Sequence, residues 1–351
     1  MAEARPGLLP WTQRLARWQA SSPLALSVAI GAALLGLFLV TEGALGRLGN
    51  AFAGPWRGQS DFRFVLVLIA MVAYLPGAHA WGARGARRTI EELAPVLRCG
   101  PDEMTRLVGG AGRLAPGPLR RAGLVGAIVM LLVPLAVDQH LRTYALWALV
   151  PETAFQRLLL PVVGWLAGCF AYAVYAESRK LSRLGRERVR IDLLDLRSVK
   201  PLSRQGLRYA LLTIGVVSIA SAFFLDPDLR PEDRPGIVAV LLAGHGTATL
   251  LAALALALPV RGVREAIRAA KQDELAWCHD AIRRLRDADG TPPPGGPSLA
   301  DLVAWRGLVE AVREWPFDAP TLLRFVLYLA IPLGSWLGGA LVEHVVDTFL
   351  G

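Results

Sequence analysis

Lysine is nearly missing from this chain. Lys180, Lys200 and Lys271 stand alone, so arginine supplies almost all of the 38 basic residues. Codon usage of a GC-rich bacterial genome accounts for that bias without any special arginine chemistry. Cysteine is equally sparse. Cys99, Cys169 and Cys278 have neither CxxC nor metal-ligand spacing, which excludes a disulfide frame and a zinc site built on thiolates. Charge is low too, at 19% of residues, against about 25% in an ordinary soluble domain. The deficit lies in long uncharged runs rather than a thin spread, which excludes a plain water-soluble globule and points to a membrane.

Signatures of chemistry are also lacking. There is no Walker glycine loop, dinucleotide fingerprint, HExxH or GxSxG. The glycine-rich stretch 109–117 (GGAGRLAPG) has no strand before it and no phosphate-loop lysine. The pattern therefore implies no catalytic residues, no cofactor and no metal. Net charge is +9 with a pI near 10.1, a balance that suggests nucleic acid in a soluble protein. Here the positive charge flanks apolar runs, so anionic lipid headgroups are the expected partner and nucleic acid is not.

What is present is a succession of apolar segments near the roughly 20 residues that a crossing helix needs. They cover 24–40, 64–81, 122–137, 158–176, 207–225, 236–260 and 322–342. The expected fold is all-α: a polytopic transmembrane helix bundle of about seven spans, with amphipathic cytoplasmic helices. The third segment is short, and 144–150 is a further apolar patch, so 122–150 reads as one span, a kinked span or a re-entrant segment. The first segment follows a leader with Arg5, Arg14 and Arg17, but it is long for a signal peptide and is expected to be retained.

The basic residues alternate with the spans. The leader, 82–121, 177–206 and 261–320 are arginine-rich, whereas the intervening connections hold only Arg47, Arg57 and Arg63, then Arg142 and Arg157, then Arg230 and Arg234. The positive-inside rule puts the N-terminus in the cytoplasm and the C-terminus outside a bacterial inner membrane. Residues 1–260 then form a six-span region with cytoplasmic connections, 261–320 a cytoplasmic helical hairpin, and 321–351 the seventh span with a short outer tail.

The arginine-rich intervals are patterned as helices. Leu181, Leu184, Ile191, Leu194 and Leu196 lie among arginines over 179–199, which predicts an amphipathic helix. Residues 262–289 read as a continuation of span six, with a kink at Pro259. The run 290–297 (GTPPPGGP) breaks that helix, and Ser298 caps a second over 299–315. The segment 315–320 (WPFDAP) is a rigid re-entry into the membrane. An internal echo links two membrane exits: RGARRTI at 84–90 and RGVREAI at 261–267. It reflects either the frequency of arginine and glycine at exits or duplication of a hairpin-plus-helix unit.

Candidate site residues are few. His245 lies well inside span six between Gly244 and Gly246, with Thr247 and Thr249 following. It reads as an intramembrane polar site or as a neutral histidine bonded across a helix contact. Arg84, Arg87, Arg183, Arg190, Arg261 and Arg264 are candidate contacts for lipid or a partner. Arg208 and Arg324 begin spans five and seven, where snorkelling explains them. The acidic outer connection 226–234 (DPDLRPEDR) lacks the spacing of a calcium loop.

The stretch 314–343 (EWPFDAPTLLRFVLYLAIPLGSWLGGALVE) resembles the ending of uncharacterised bacterial multi-pass membrane proteins, a resemblance that implies no activity. The expected function is non-catalytic: a scaffold or accessory subunit that binds a protein partner, or a second copy, through its cytoplasmic helices. The alternative is a transporter or channel for a small solute or ion.

Overall fold

The computed structural model describes residues 22–46, 60–137, 151–222, 235–287, 297–315, 323–328 and 330. The leader, the 138–150 patch, the 226–234 connection, 290–296, 316–320 and most of the seventh span lie outside the described residues, as does most of the stretch carrying the C-terminal resemblance.

The described residues are helical, with no strand among them. In chain order the helices are α1 (Pro23–Ala44), α2 (Ser60–Leu93), α3 (Pro101–Gly110), α4 (Pro116–Val137), α5 (Pro151–Glu187), α6 (Lys200–Ser221), α7 (Pro235–Asp287) and α8 (Leu299–Ala311). Residues 323–328 are also helical. Among the described residues, four stretches are long and apolar enough to cross a membrane: Pro23–Ala44, Val65–Val96, Arg157–Glu187 and Ala243–Asp287.

The starts of several helices follow from local chemistry. At α1, Ser22 Oγ accepts from the Ala25 amide at 3.2 Å and proline fills the first turn. α3 has proline there too, with Asp102 and Glu103 facing the positive end of the helix dipole. α8 opens with a reciprocal capping box between Ser298 and Asp301. The hydrogen bonds from Ser298 hold the Asp301 carboxyl below its usual range. α2, α5 and α7 run unbroken through Pro76, Pro161 and Pro259. A bundle tolerates this because neighbouring groups can satisfy the carbonyl that each ring frees.

Four helices form a ring in the order α2, α5, α7, α6, with α1 laid against α2 and α4 against α5. Neighbouring residues give the directions. Gly77 lies against Pro23 and Ser27, and Gly82 against Tyr209, so α1 and α6 both run antiparallel to α2. Gly126 meets Gly164 while Gly123 meets Cys169, so α4 is antiparallel to α5. The arginine-rich segments of all three long helices therefore gather at one end of the bundle.

Two large cores follow from this arrangement. One fills the middle of the ring and includes Leu68, Leu75, Val163, Phe170, Val174, Leu212 and Ala255. The second lies at the basic end and joins Ile90, Leu93, Leu97, Leu181, Leu184, Val189, Leu202, Val263 and Ile267. The arginine-rich connections are thus folded on a hydrophobic core of their own. The outer helices bury little: only 11% of the most apolar window of α1 is buried. Leu24, Val28 and Val40 of α1 are exposed, as are Val125, Val129 and Leu132 of α4.

The amphipathic helix expected over 179–199 needs correction. Helix α5 carries Leu181 and Leu184 into the basic-end core but stops at Glu187. Val189 then pairs with Leu97 in an antiparallel bridge, with Arg98 N donating to Arg188 O and Arg190 N to Val96 O, both at 2.8 Å. Beyond it, Asp192 Oδ1 accepts from Leu194 N at 2.9 Å and Asp195 Oδ1 from Arg197 N at 3.1 Å. Aspartates that capture amides two residues on favour turns over helix. A short 3₁₀ turn at Leu196–Val199 leads into α6.

Residues after Val260 continue α7 as expected, and α8 folds back on it. Lys271 Nζ donates to the carbonyls of Glu310 (2.7 Å) and Val312 (3.0 Å), closing the C-terminus of α8. Trp305 Nε1 donates to Glu274 Oε1 at 2.9 Å. Cys278, Leu302 and Val309 are buried between the two helices.

Candidate functional site

Four polar residues buried in the bundle collect where α2, α5 and α6 meet, just inside the arginine-rich end. His79 comes from α2, Glu177 from α5, and Gln205 and Tyr209 from α6; all are buried. The helical spacing of Gln205 and Tyr209 puts both on the face of α6 that meets α2. Gln205 Nε2 donates to Gly82 O at 3.1 Å, and the Tyr209 hydroxyl reaches the same carbonyl at 3.4 Å. One backbone oxygen of α2 thus ties two side chains of α6. A turn deeper, the Tyr74 hydroxyl donates back to Leu212 O at 3.0 Å.

Glu177 is the acidic member. Its Oε1 lies 2.7 Å from Lys180 Nζ, which also donates to Arg113 O at 2.6 Å. The side chain of Glu177 is 5% exposed and that of Lys180 48%. A buried carboxylate is costly without a counter-charge, and this lysine supplies one from the wet side. Between His79, Glu177 and Tyr209 lies a cavity of about 10 Å³, lined also by Ala83, Gly112, Phe170, Ala173 and Val174. That volume suits about one water molecule. The arrangement offers a carboxylate, an imidazole and a phenol to one small space. It holds no paired nucleophile and base, and no metal-binding group of three His, Cys, Asp or Glu occurs among the described residues.

No family model, curated protein or solved structure matches this chain. What it can do must be read from its own residues.

The candidates singled out in the sequence fall elsewhere. His245 sits at the far end of α7, where its Nε2 lies 2.8 Å from Ser221 Oγ at the end of α6. It is half-buried, and Thr247 is exposed and Thr249 half-buried. Gly244 and Gly246 have no neighbour within 4 Å of where a Cβ would stand, so no described helix approaches them closely. Arg84, Arg87, Arg183, Arg190 and Arg261 are exposed around the basic end. Arg87 pairs with Glu91 and Arg261 with Glu265, each at 3.1 Å. Arg264 differs: its guanidinium stacks 4.4 Å from the Trp315 ring and lies 3.8 Å from Glu314. These arginines ring the bundle rather than converge on one pocket.

Sequence reasoning missed Glu177, Gln205 and Tyr209. A signal for Glu177 was present, since it is the one acid in the exit sequence YAESRK, directly behind an apolar run. Gln205 and Tyr209 lie in α6, whose first turns mix polar and apolar residues and hide which side faces inward.

Proposed function

We propose that the chain is a multi-pass protein of a bacterial inner membrane, with its arginine-rich end in the cytoplasm, its N-terminus inside and its C-terminus outside. α1, α2, α4, α5, α6 and the first half of α7 are six spans, and 322–342 is the seventh. The alternation of basic and neutral connections supports this orientation, and so does the collection of basic segments at one end of the bundle.

Its function is that of a scaffold or accessory subunit which binds a protein through its cytoplasmic helices. One observation carries this: the side of α8 turned away from α7 has no charge. Leu302 and Val309 point to α7, while Ala300, Val303, Ala304, Gly307, Leu308 and Ala311 lie on the exposed opposite side. Val303 and Leu308 are 55% and 59% exposed. An uncharged helical face in so arginine-rich a region, on a hairpin that extends beyond the bundle, suits a docked helix. A photo-crosslinking amino acid placed at Val303 of the full chain in native membranes is expected to give a discrete protein adduct. The same probe at Arg283, on the charged side of α7, gives none. Equal labelling at both positions, or none at either, removes the scaffold assignment.

A transporter or channel is the alternative, and the cavity between His79, Glu177 and Tyr209 supports it. Glu177→Gln then abolishes a measurable flux in proteoliposomes, while His245→Ala, distant from the cavity, leaves it unchanged.

A further inference from the structure

Arg208 begins the apolar part of α6, where snorkelling to the headgroups is the simple expectation. Its guanidinium is instead fixed in place. Nη1 donates to Gln205 Oε1 at 2.6 Å. Gln205, which has no exposed surface, is itself held by Gly82 O. The guanidinium carbon lies 5.5 Å from the centre of the Trp81 ring, within cation–π range. Space for it exists only because residue 85 is glycine: a Cβ there would collide with Arg208 Nη1 and Gln205 Oε1.

The surroundings are strongly positive. Arg88 from α2 and Arg204 from α6 stand close enough to repel the Arg208 charge, and Glu92 is the nearby acid. Glu92 is engaged by Arg204 at 3.0 Å. Of these arginines Arg204 is the one paired with Glu92, and Arg208 stands beside the indole of Trp81, which is 45% exposed. Fixing one arginine by stacking and an amide bond removes most of the ordering cost of a fork-shaped donor, and such forks match phosphate oxygens.

We infer that the cluster of Arg88, Arg204, Arg208 and Trp81, where α2 meets α6, binds a phosphate group, carried by an anionic phospholipid or free in solution. The lipid form rests on the membrane placement proposed above. There the cluster lies at the inner boundary of two spans, with Trp81 at the depth that aromatic residues favour. The phosphate sits against the guanidinium groups, and the acyl chains extend toward the apolar parts of the two helices.

The experiment uses the full chain in nanodiscs, with lipid retention read by native mass spectrometry. Phosphatidylglycerol is expected to be retained over phosphatidylcholine, and Arg208→Gln to weaken retention about tenfold. Arg208→Lys keeps the charge but loses the fork and is expected to fall between. Trp81→Leu, at an exposed position, checks the site without disturbing the buried amide. If inorganic phosphate alone raises the unfolding temperature of wild type but not of Arg208→Gln, free phosphate is the ligand. Two results together overturn the inference: equal retention of phosphatidylglycerol by wild type, Arg208→Gln and Trp81→Leu, and no stabilisation by phosphate. Extraction of the chain from membranes by alkaline carbonate would instead defeat the membrane placement, and is scored first.

Discussion

Two stretches of this molecule share a sequence pattern and a core but not their neighbours. RGARRTI at 84–90 ends the apolar part of α2, and RGVREAI at 261–267 does the same in α7. At three positions they behave alike. The glycines, Gly85 and Gly262, are both buried where a neighbouring helix crosses closely. The next residues, Ala86 and Val263, have no exposed surface. The isoleucines, Ile90 and Ile267, enter the same basic-end core. The neighbours differ. Gly85 makes room for the side-chain ends of Arg208 and Gln205, whereas Gly262 lies against the backbone of Ser182 in α5. The same seven-residue pattern thus anchors two helices of the ring to one core, with a polar contact in one case and a backbone contact in the other. That is a packing role, and it holds whether or not the two stretches descend from one unit.

The largest losses of stability are expected from the isoleucines. Ile267 is fully buried and Ile90 retains 6% exposure. Truncating a core isoleucine to alanine costs about 2–5 kcal/mol, with the larger losses where the site cannot collapse. Ile267→Ala is expected to cost about 4 kcal/mol and Ile90→Ala about 3 kcal/mol, measured by denaturant unfolding of the full chain in micelles. Should Ile90→Ala prove the more damaging, the shared core would be centred on α2 rather than α7.

The glycines come next. Overpacking costs about 1–3 kcal/mol when neighbours must shift. At Gly262 the obstacle is the Ser182 carbonyl, which moves only if α5 moves, so Gly262→Ala is expected near about 3 kcal/mol. At Gly85 the obstacles are the ends of two side chains, Arg208 and the buried Gln205, rather than backbone, so Gly85→Ala costs about 1 kcal/mol. It also pushes Arg208 off Trp81, so it weakens phosphate binding more than it weakens the fold. Equal destabilisation by both changes would mean that Arg208 is as rigidly held as backbone.

Much of this architecture was legible in the sequence. Apolar length marked the four described helices able to cross a membrane, and Ser298 marked the start of α8. The helical hairpin followed because capping chemistry is local. The region 188–199 was misread for the opposite reason. Its leucines have helical spacing, but Val189 pairs with Leu97, some ninety residues away, and no local pattern reports such a partner. The buried polar junction was illegible on the same ground. Gln205 and Arg208 look like surface residues in the early turns of a helix, and only the crossing of α2 at Gly82 and Gly85 turns one inward and fixes the other. His245, the residue most conspicuous in sequence, meets Ser221 at a half-buried contact.

The smallest effect separates two exposed ion pairs, one beside each stretch and not at matching positions, by electrostatics alone. Arg87–Glu91 and Arg261–Glu265 are exposed pairs with the same i,i+4 spacing and the same 3.1 Å separation. Exposed pairs of this kind are worth about 0.5 kcal/mol at most. Glu265 has a second partner, Arg186 of α5, at 3.5 Å, so it bridges two helices where Glu91 serves only its own. Glu265→Gln is therefore expected to cost a little more than Glu91→Gln, by about 0.3 kcal/mol at low salt. Raising the ionic strength toward 1 M shrinks the screening length to about 3 Å and should erase the difference. A difference that survives high salt would come from packing around Glu265, and would make the second copy of the motif an anchor between α5 and α7 independent of its charge.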